Sequence, residues 1–301
     1  MKPDTHDCAL TAAERSLREI VEAGATNKVL RKEKLSDTIV LFELDNPLIA
    51  RNAVAGQFVV VRPNTLGERI PLTISDADKV RGTITIIFQV VGRTTMELAR
   101  IKEGECVPDV CGPLGTPSEI ENYGTAICVG GGVGIAFLRP ITKALKEAGN
   151  EVITILGARE KSLLILENEM RELSDELILT TDDGSYGIKG VVTGPIKEML
   201  DSGRKIDYIF AIGPMPMMRA VAETTRPYGV KTVVSLDPIM INGTGMCGGC
   251  RVTVGGQTKF TCVDGPDFDG HEVDWDELKI RKAYYFAEEQ AAKEMAAKEE
   301  N

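Results

Sequence analysis

From residue 125 onward, short apolar runs alternate with stretches in which apolar residues recur at helical spacing. The run at 125–131 precedes a helical pattern at 136–149, and the run at 151–158 precedes another at 163–174. Such alternation predicts βαβ units, which assemble into a parallel sheet covered by crossover helices. The series continues with strands predicted at 176–183 and 207–214 and a helix predicted at 216–229.

The preceding part of the chain has a different pattern. Runs rich in Val, Ile, Thr and Phe, separated by turn residues, occupy 38–44, 57–63 and 82–91. This spacing predicts an antiparallel barrel or sandwich. An all-β domain followed by an α/β domain suits a chain of 301 residues. The expected segments are a helical extension at 1–26 with an amphipathic helix at 9–24, a β-barrel at 27–122, a nucleotide-binding domain at 123–230, a cysteine-bearing segment at 231–277 and a C-terminal surface helix at 278–301.

Charge and composition narrow the function classes. The formal net charge of −10 disfavours nucleic acid and anionic lipid as partners. The polar start has no secretory pattern, and the glycine-rich run at 125–138 is too short to span a bilayer, so we expect a cytoplasmic protein without membrane association. In a reducing compartment, the seven cysteines are expected to be thiols or metal ligands. Cys106 and Cys128 are expected to be small core residues.

A glycine-rich turn follows the first strand of the α/β domain. The stretch "CVGGGVGIA" at 128–136 leads from a strand into a helix, where glycines admit a pyrophosphate and the helix N-terminus favours negative charge. Other strands end at the same edge of the predicted sheet, where ligands bind. The nucleotide-binding candidates are Gly131, Gly132, Val133, Gly134, Arg159, Asp183, Gly213 and Met215. Arg159, Glu160 and Lys161 leave NAD and NADP both open.

Three motifs of the first domain, together with two of the second, resemble those of a known family. The stretches "ERIPLTI" (68–74), "GRTT" (92–95) and "CGPLGTP" (111–117), in this order before the glycine turn and "IGPMPMM" (212–218), resemble the ferredoxin–NADP reductase superfamily. Within it, the chain is most similar to the small subunits of electron-bifurcating NADH-dependent reduced ferredoxin:NADP oxidoreductases. The sulfide dehydrogenase small subunit and the electron-transfer subunit of dihydroorotate dehydrogenase are near relatives. The resemblance covers about residues 27–277.

This resemblance implies that the first domain binds FAD. Arg69 would then pair with a flavin phosphate, for which its planar guanidinium is suited. Pro71, Leu72 and Thr73 would line the isoalloxazine, with the Thr73 hydroxyl near N5. The flavin pyrophosphate would be bound by Gly92, Thr94 and Thr95. Hydride transfer needs positioning more than acid–base catalysis, so no catalytic residue is assigned with certainty.

A cysteine loop provides three thiolates and lacks a fourth ligand. Cys247, Cys250 and Cys262 match the last three positions of the plant-type [2Fe–2S] pattern C-x4-C-x2-C…C. The first position is Asn242, where the related subunits carry Cys or Asp. The fourth ligand is therefore open between Asn242, Asp237 and solvent. A Cys3His zinc site with His271 is the alternative.

The function expected from this resemblance is that of an electron-transfer oxidoreductase subunit. It would pass hydride from NAD(P)H to FAD, and then single electrons to the [2Fe–2S] cluster and a larger partner that carries flavin and iron–sulfur clusters. Ferredoxin would take part indirectly. The alternatives are a sulfide dehydrogenase or dihydroorotate dehydrogenase electron-transfer subunit, and a zinc-bearing nucleotide-sensing interaction module without turnover.

Overall fold

The computed structural model of the protein describes residues 27–64 and 67–299. The helix expected at 9–24 lies outside the described residues. The side chains are described up to residue 295.

The first domain is a curled antiparallel sheet of six strands in the order β1-β2-β5-β4-β3-β6. Its strands are β1 (Lys28–Lys34), β2 (Ile39–Asp45), β3 (Phe58–Arg62), β4 (Ile70–Asp78), β5 (Thr83–Gln89) and β6 (Asp109–Leu114), and its helices are α1 (Pro47–Asn52) and α2 (Arg93–Arg100). An antiparallel bridge between Lys28 and Cys106 pairs the segment that precedes β6 with β1. The sheet therefore closes on itself as a barrel around its own apolar core, which includes Phe42 and Phe88 in edge-to-face contact.

The second domain contains a seven-stranded sheet in the order β10-β9-β8-β7-β11-β12-β15, parallel except for the antiparallel edge strand β15. Its strands are β7 (Thr125–Gly131), β8 (Glu151–Ala158), β9 (Glu176–Thr181), β10 (Ile188–Lys189), β11 (Tyr208–Ile212), β12 (Lys231–Ser235) and β15 (Asp267–Asp269). The connecting helices are α3 (Gly134–Glu147), α4 (Glu167–Leu173), α5 (Thr193–Asp201) and α6 (Met215–Thr225). Apolar cores cover both faces of the sheet, as buried parallel strands require.

The remaining elements lie around the cysteines and at the C-terminus. They are the hairpin β13 (Arg251–Val254) and β14 (Gln257–Phe260), and the helices α7 (Thr261–Asp264), α8 (Trp275–Lys282) and α9 (Phe286–Glu299). Two strands that flank this region, β12 and β15, complete the sheet of the second domain.

Three details differ from expectation. The helix expected at 163–174 begins only at Glu167, because Ile165 is buried and its leucine neighbours pack on the core in non-helical conformation. Cys106 is exposed, so the prediction of a core residue was wrong there, whereas Cys128 is fully buried. The C-terminal helix expected at 278–301 is divided into α8, which ends at Lys282, and α9, which begins at Phe286. Most described side chains of α9 are exposed, as expected of a surface helix, and α9 also packs against α2 and contributes Glu289 to a cavity.

Candidate functional site

A cavity of about 620 Å³ lies where the barrel, the parallel sheet and the C-terminal region meet. Its walls come from the start of β4, the turns after β7 and β11, and residues 235–240. From β7 the sheet extends through β8 to β10 on one side and through β11 and β12 on the other. The cavity therefore lies at the switch point of the sheet, where open α/β sheets bind ligands.

The glycine turn presents backbone to this cavity. A side chain at Gly134 would meet the Ile212 carbonyl oxygen at 2.6 Å, and one at Gly131 would meet the Met217 sulfur at 2.3 Å. Gly132 has φ +56° and faces open space. Within the described chain, the N–H groups of Val133 and Gly134 at the start of α3 donate to no acceptor. Free N–H groups and a backbone without side chains fit the phosphates of a dinucleotide.

The barrel wall of the cavity follows the alternation of β4. Pro71 and Thr73 line the cavity, whereas Leu72 points to the opposite face and is buried in the barrel core. Arg69 also lines the cavity, with its guanidinium 3.6 Å from the Asp109 carboxylate. The wall thus offers one cation, one hydroxyl and a flat apolar surface, which fits a phosphate-bearing aromatic cofactor such as FAD. Leu72 does not reach this surface.

Several predicted residues lie outside the cavity lining. Gly92 is the N-cap of α2; the Thr95 hydroxyl accepts from Gly92 N at 3.0 Å, and Thr94 is buried. Arg159 follows β8, and its carbonyl accepts from Asp183 N at 3.2 Å. Backbone and side-chain hydrogen bonds from Ser185 lower the pKa of Asp183. Met215 begins α6, while Gly213 lines the cavity.

The four candidate donors of the cysteine loop, residues 237–262, form two pairs. Cys250 Sγ lies 3.2 Å from Cys262 Sγ, and Cys247 Sγ lies 3.6 Å from Asn242 Oδ1. The N–H of Gly245 donates to Cys262 Sγ at 3.1 Å. Two donor pairs match a centre with two irons, each taking two protein ligands.

The electrostatics of the loop favour bound cations. The Gly249 backbone N–H lowers the pKa of Cys247, which favours its thiolate. Burial, together with the neighbouring Cys250 thiol, raises the pKa of Cys262 to about 11. The thiolate of Cys262 is therefore favoured by a positive charge beside it, such as that of a bound metal ion.

Asp237, the alternative fourth ligand, is engaged elsewhere. Its carboxylate pairs with Lys282 Nζ at 2.6 Å, and its carbonyl accepts from the same ammonium at 3.1 Å. Asp237, Lys282 and Glu289 all line the cavity. Sequence reasoning missed Lys282 and Glu289, because nothing in the sequence placed the C-terminal helices beside the barrel.

The zinc alternative lacks its fourth ligand. His271 Nε2 is hydrogen-bonded to Thr225 Oγ1 at 2.9 Å, at the end of α6. Throughout the described ranges, no three His, Cys, Asp or Glu side chains are arranged to hold a single metal ion. The Cys3His site is therefore not assembled, whereas the paired donors remain suited to a two-iron centre.

Comparison with family models gives two matches. Residues 128–223 match the oxidoreductase NAD-binding domain. Residues 237–274 match the iron–sulfur cluster binding domain of dihydroorotate dehydrogenase B. The first range contains the glycine turn, and the second contains the four donors of the loop.

Known proteins are similar over most of the chain. A dihydroorotate dehydrogenase B electron-transfer subunit homolog from Thermotoga maritima is 52% identical, covering 90% of this chain and 95% of the relative. The electron-transfer subunit from Desulforamulus reducens is 33% identical over 83% of this chain and 97% of that protein. A chain in the solved structure of an NADH-dependent reduced ferredoxin-NADP oxidoreductase, described in connection with flavin-based electron bifurcation, superposes with a TM-score of 0.85. It is 51% identical, and the match covers 90% of this chain and 98% of that one.

Proposed function

The chain belongs to the family of dihydroorotate dehydrogenase B electron-transfer subunits and their homologues, and on this premise we propose that it passes electrons from a nicotinamide nucleotide through FAD to a [2Fe–2S] cluster. It is an oxidoreductase subunit with an NAD-binding domain and an iron–sulfur domain. Flavin-based bifurcation of the ferredoxin:NADP type is the activity that we assign to the complex it serves.

One observation carries the proposal: the cavity lining and the apolar cluster of the thiol pair share two side chains. Met240 lines the cavity and packs in the same apolar cluster as Cys250 and Cys262. Phe58 of the barrel belongs to both as well. The cavity lining and the thiol pair are thus joined by packed side chains, which would allow short-range electron transfer between a cofactor in the cavity and a cluster on the loop.

The residues that line the cavity would bind and orient the cofactors and exclude water. When bound, FAD accepts a hydride and releases single electrons, and an iron–sulfur cluster carries one electron at a time. Arg69 supplies the cation for a flavin phosphate, and the Thr73 hydroxyl offers a hydrogen bond to the flavin ring. The turns at Gly132 and Gly213 bring nucleotide-binding backbone to the same cavity. Phe58 and Phe137 contribute aromatic surface to the cavity lining, which would exclude water from a bound flavin ring.

We assign the fourth cluster donor to Asn242, because it faces Cys247 while Asp237 is held by Lys282. Asn242→Cys should give an all-thiolate cluster of lower reduction potential, since a thiolate adds negative charge beside the iron. Asp237→Ala should leave the electron paramagnetic resonance signal of the cluster nearly unchanged. Loss of the cluster in Asp237→Ala, together with an unchanged potential in Asn242→Cys, would reverse the assignment.

The exposed rim of the loop is proposed as the contact with a larger flavin- and iron–sulfur-containing subunit. Cys247 is exposed, and the side chains of Ile241, Met246 and Val263 around the loop are apolar yet exposed, Met246 to 85%. Ferredoxin would exchange electrons through that subunit. We place this complex in the cytoplasm; no helix of the described residues is long and apolar enough to cross a membrane.

Cofactor content tests the proposal. The purified chain should contain FAD, iron and acid-labile sulfide, with two irons per chain. A colourless protein with stoichiometric zinc would contradict the proposal and would favour the nucleotide-sensing alternative. Titration with NADH and with NADPH in parallel then identifies the preferred nucleotide.

A further inference from the structure

The fourth donor belongs to a chemically unstable dipeptide. Asn242–Gly243 is the one Asn-Gly pair of the sequence. An asparagine deamidates when the backbone nitrogen of the next residue attacks its side-chain amide carbon. Glycine at that position favours the reaction, because no side chain blocks the approach and its backbone is the least restricted.

Two hydrogen-bonding features of Asn242 and its neighbours bear on this attack. The Thr244 N–H donates to Asn242 Oδ1 at 3.1 Å, so a hydrogen bond is in place where negative charge develops on that oxygen during attack. The Gly243 N–H donates to no acceptor within the described chain. Asn242 is half-buried, Gly243 is buried and Thr244 is exposed, so water can approach the Asn242 side chain from the Thr244 side.

Asn150 provides the contrast within the same chain. Its Oδ1 also accepts backbone hydrogen bonds, from Tyr123 N at 2.7 Å and Gly124 N at 3.2 Å. Its side chain is buried, however, and the following nitrogen, of Glu151, donates to the Gly124 carbonyl at 2.9 Å. An amide oxygen that accepts backbone hydrogen bonds is thus common to both sites, whereas only Asn242 combines a half-buried side chain with a following nitrogen that donates to no acceptor within the described chain.

We propose that Asn242 is a deamidation site, through which the cysteine loop converts its own neutral amide donor into a carboxylate. The Gly243 nitrogen forms a bond to Asn242 Cγ, the Cγ–Nδ2 bond breaks, and ammonia leaves with the proton from Gly243. Water then opens the cyclic imide, giving aspartate or isoaspartate. The sum is asparagine plus water giving aspartate plus ammonia, with no change in oxidation state.

The consequence for the cluster rests on the proposed function. A carboxylate at this position adds negative charge beside the iron and lowers the reduction potential of the cluster. The isoaspartate product also lengthens the backbone by one methylene within the loop, which displaces the donor. The covalent conversion itself does not depend on any cofactor.

Peptide mapping of the purified full-length protein tests the proposal. Samples are taken during incubation at mildly alkaline pH, denatured, alkylated and digested with trypsin. The peptide 232–251 contains Asn242 as its one asparagine, and the peptide 147–159 contains Asn150. We expect peptide 232–251 to gain the mass that separates an acid from an amide, as two chromatographically distinct products, while peptide 147–159 stays unchanged. Equal retention of both amides would overturn the proposal.

Two variants separate this proposal from the donor assignment. Asn242→Gln removes the five-membered-ring route, so its peptide should keep its mass; conversion at the wild-type rate would contradict the mechanism. Asn242→Asp should have the lower cluster potential from the start, and the aspartate form of aged wild-type protein should match it. A potential equal to that of fresh wild type would remove Asn242 as a donor and leave the mass result standing.

Discussion

The glycine turn and the cysteine loop are two binding regions of one chain, and they are built in different ways. The turn at 131–134 lies between apolar cores that cover both faces of the parallel sheet, and Gly132 N is hydrogen-bonded to the Gly157 carbonyl at 3.0 Å. The apolar cluster under the cysteine loop has five buried members, and two of them are Cys250 and Cys262. The nucleotide site is therefore formed by the chain itself, whereas the loop depends on the group that its thiols bind.

The largest effect should come from removing a buried thiol. Cys250→Ser should abolish iron binding and unfold the loop locally, because the thiol is both a ligand and part of the small core. Hydrogen exchange should rise across 237–262 and stay unchanged at 125–147. Cys111→Ser, at an exposed cysteine of the barrel, is the matched control and should keep its iron. Unchanged protection of the loop in Cys250→Ser would show that the two regions do not differ in this way.

Two glycines of the turn should separate stability from binding. Gly134→Ala should lower the free energy of unfolding by about 1–3 kcal/mol or more, because its Cβ meets backbone at Ile212 and Gly213. Gly132→Val should cost roughly 1–2 kcal/mol for its left-handed conformation while blocking the dinucleotide. NADH-dependent flavin reduction should be lost in Gly132→Val with FAD retained. Flavin bleaching at the normal rate would show that the nucleotide binds elsewhere.

The same difference explains how much the sequence could predict. Hydrophobic periodicity located the strands at 125–131 and 151–158 and, two residues off at each end, the helix Gly134–Glu147, because parallel strands and covering helices leave a strong local pattern. Cysteine spacing located the iron–sulfur segment that the family model matches at 237–274, because ligand spacing is local as well. Both signals lie within short stretches of chain.

The tertiary contacts of individual side chains were harder to predict from the sequence. No local pattern indicates that Lys282 holds Asp237. Strand alternation separates Leu72 from Pro71 and Thr73, but it does not tell which face of β4 lines the cavity and which packs in the barrel core. The residues at 163–166 read as helix by composition, yet burial of Ile165 overrides that propensity. The proposal of Asn242 as the fourth donor rests on its distance from Cys247, which the spacing of the sequence could not provide.

A moderate effect is expected at the barrel side of the cavity. Arg69→Ala should weaken FAD retention by roughly 1.5–3 kcal/mol, the value of a charge-assisted hydrogen bond. Arg62→Ala is the matched control, because Arg62 pairs with the same Asp109 carboxylate at 3.1 Å but does not line the cavity. Flavin occupancy after dialysis measures the difference. Equal retention by the two variants would remove Arg69 as a phosphate ligand.

The smallest effect concerns the strand that anchors the cysteine segment to the sheet. Burial raises the pKa of Asp267 in β15 from 3.8 to about 6, although hydrogen bonds from Ser118 and Ser235 oppose the rise. The Asp267 carboxyl group thus holds its proton more tightly in the folded protein than in the unfolded chain. The stability that Asp267 contributes is fully present below pH 3.8 and is lost as the pH rises through about 6.

Asp267→Asn should therefore flatten the decline in stability across that window. Because Asp267 is not wholly enclosed, the gain at neutral pH should be about 1–2 kcal/mol. Thermal unfolding on either side of the window measures it, with the exposed Asp269→Asn on the same strand as control. An equal pH dependence in both variants would place the titrating group elsewhere.

Anaerobic titration of the isolated chain with NADH tests most directly whether the two regions work in series. Flavin absorbance should fall first, and the electron paramagnetic resonance signal of a reduced [2Fe–2S] cluster should follow in the same protein. In Gly132→Val, both signals should be lost with NADH yet appear with dithionite, because the cofactors remain. A chain whose flavin is bleached while its cluster stays oxidised, although dithionite reduces it, would contradict electron transfer from the cavity to the cysteine loop.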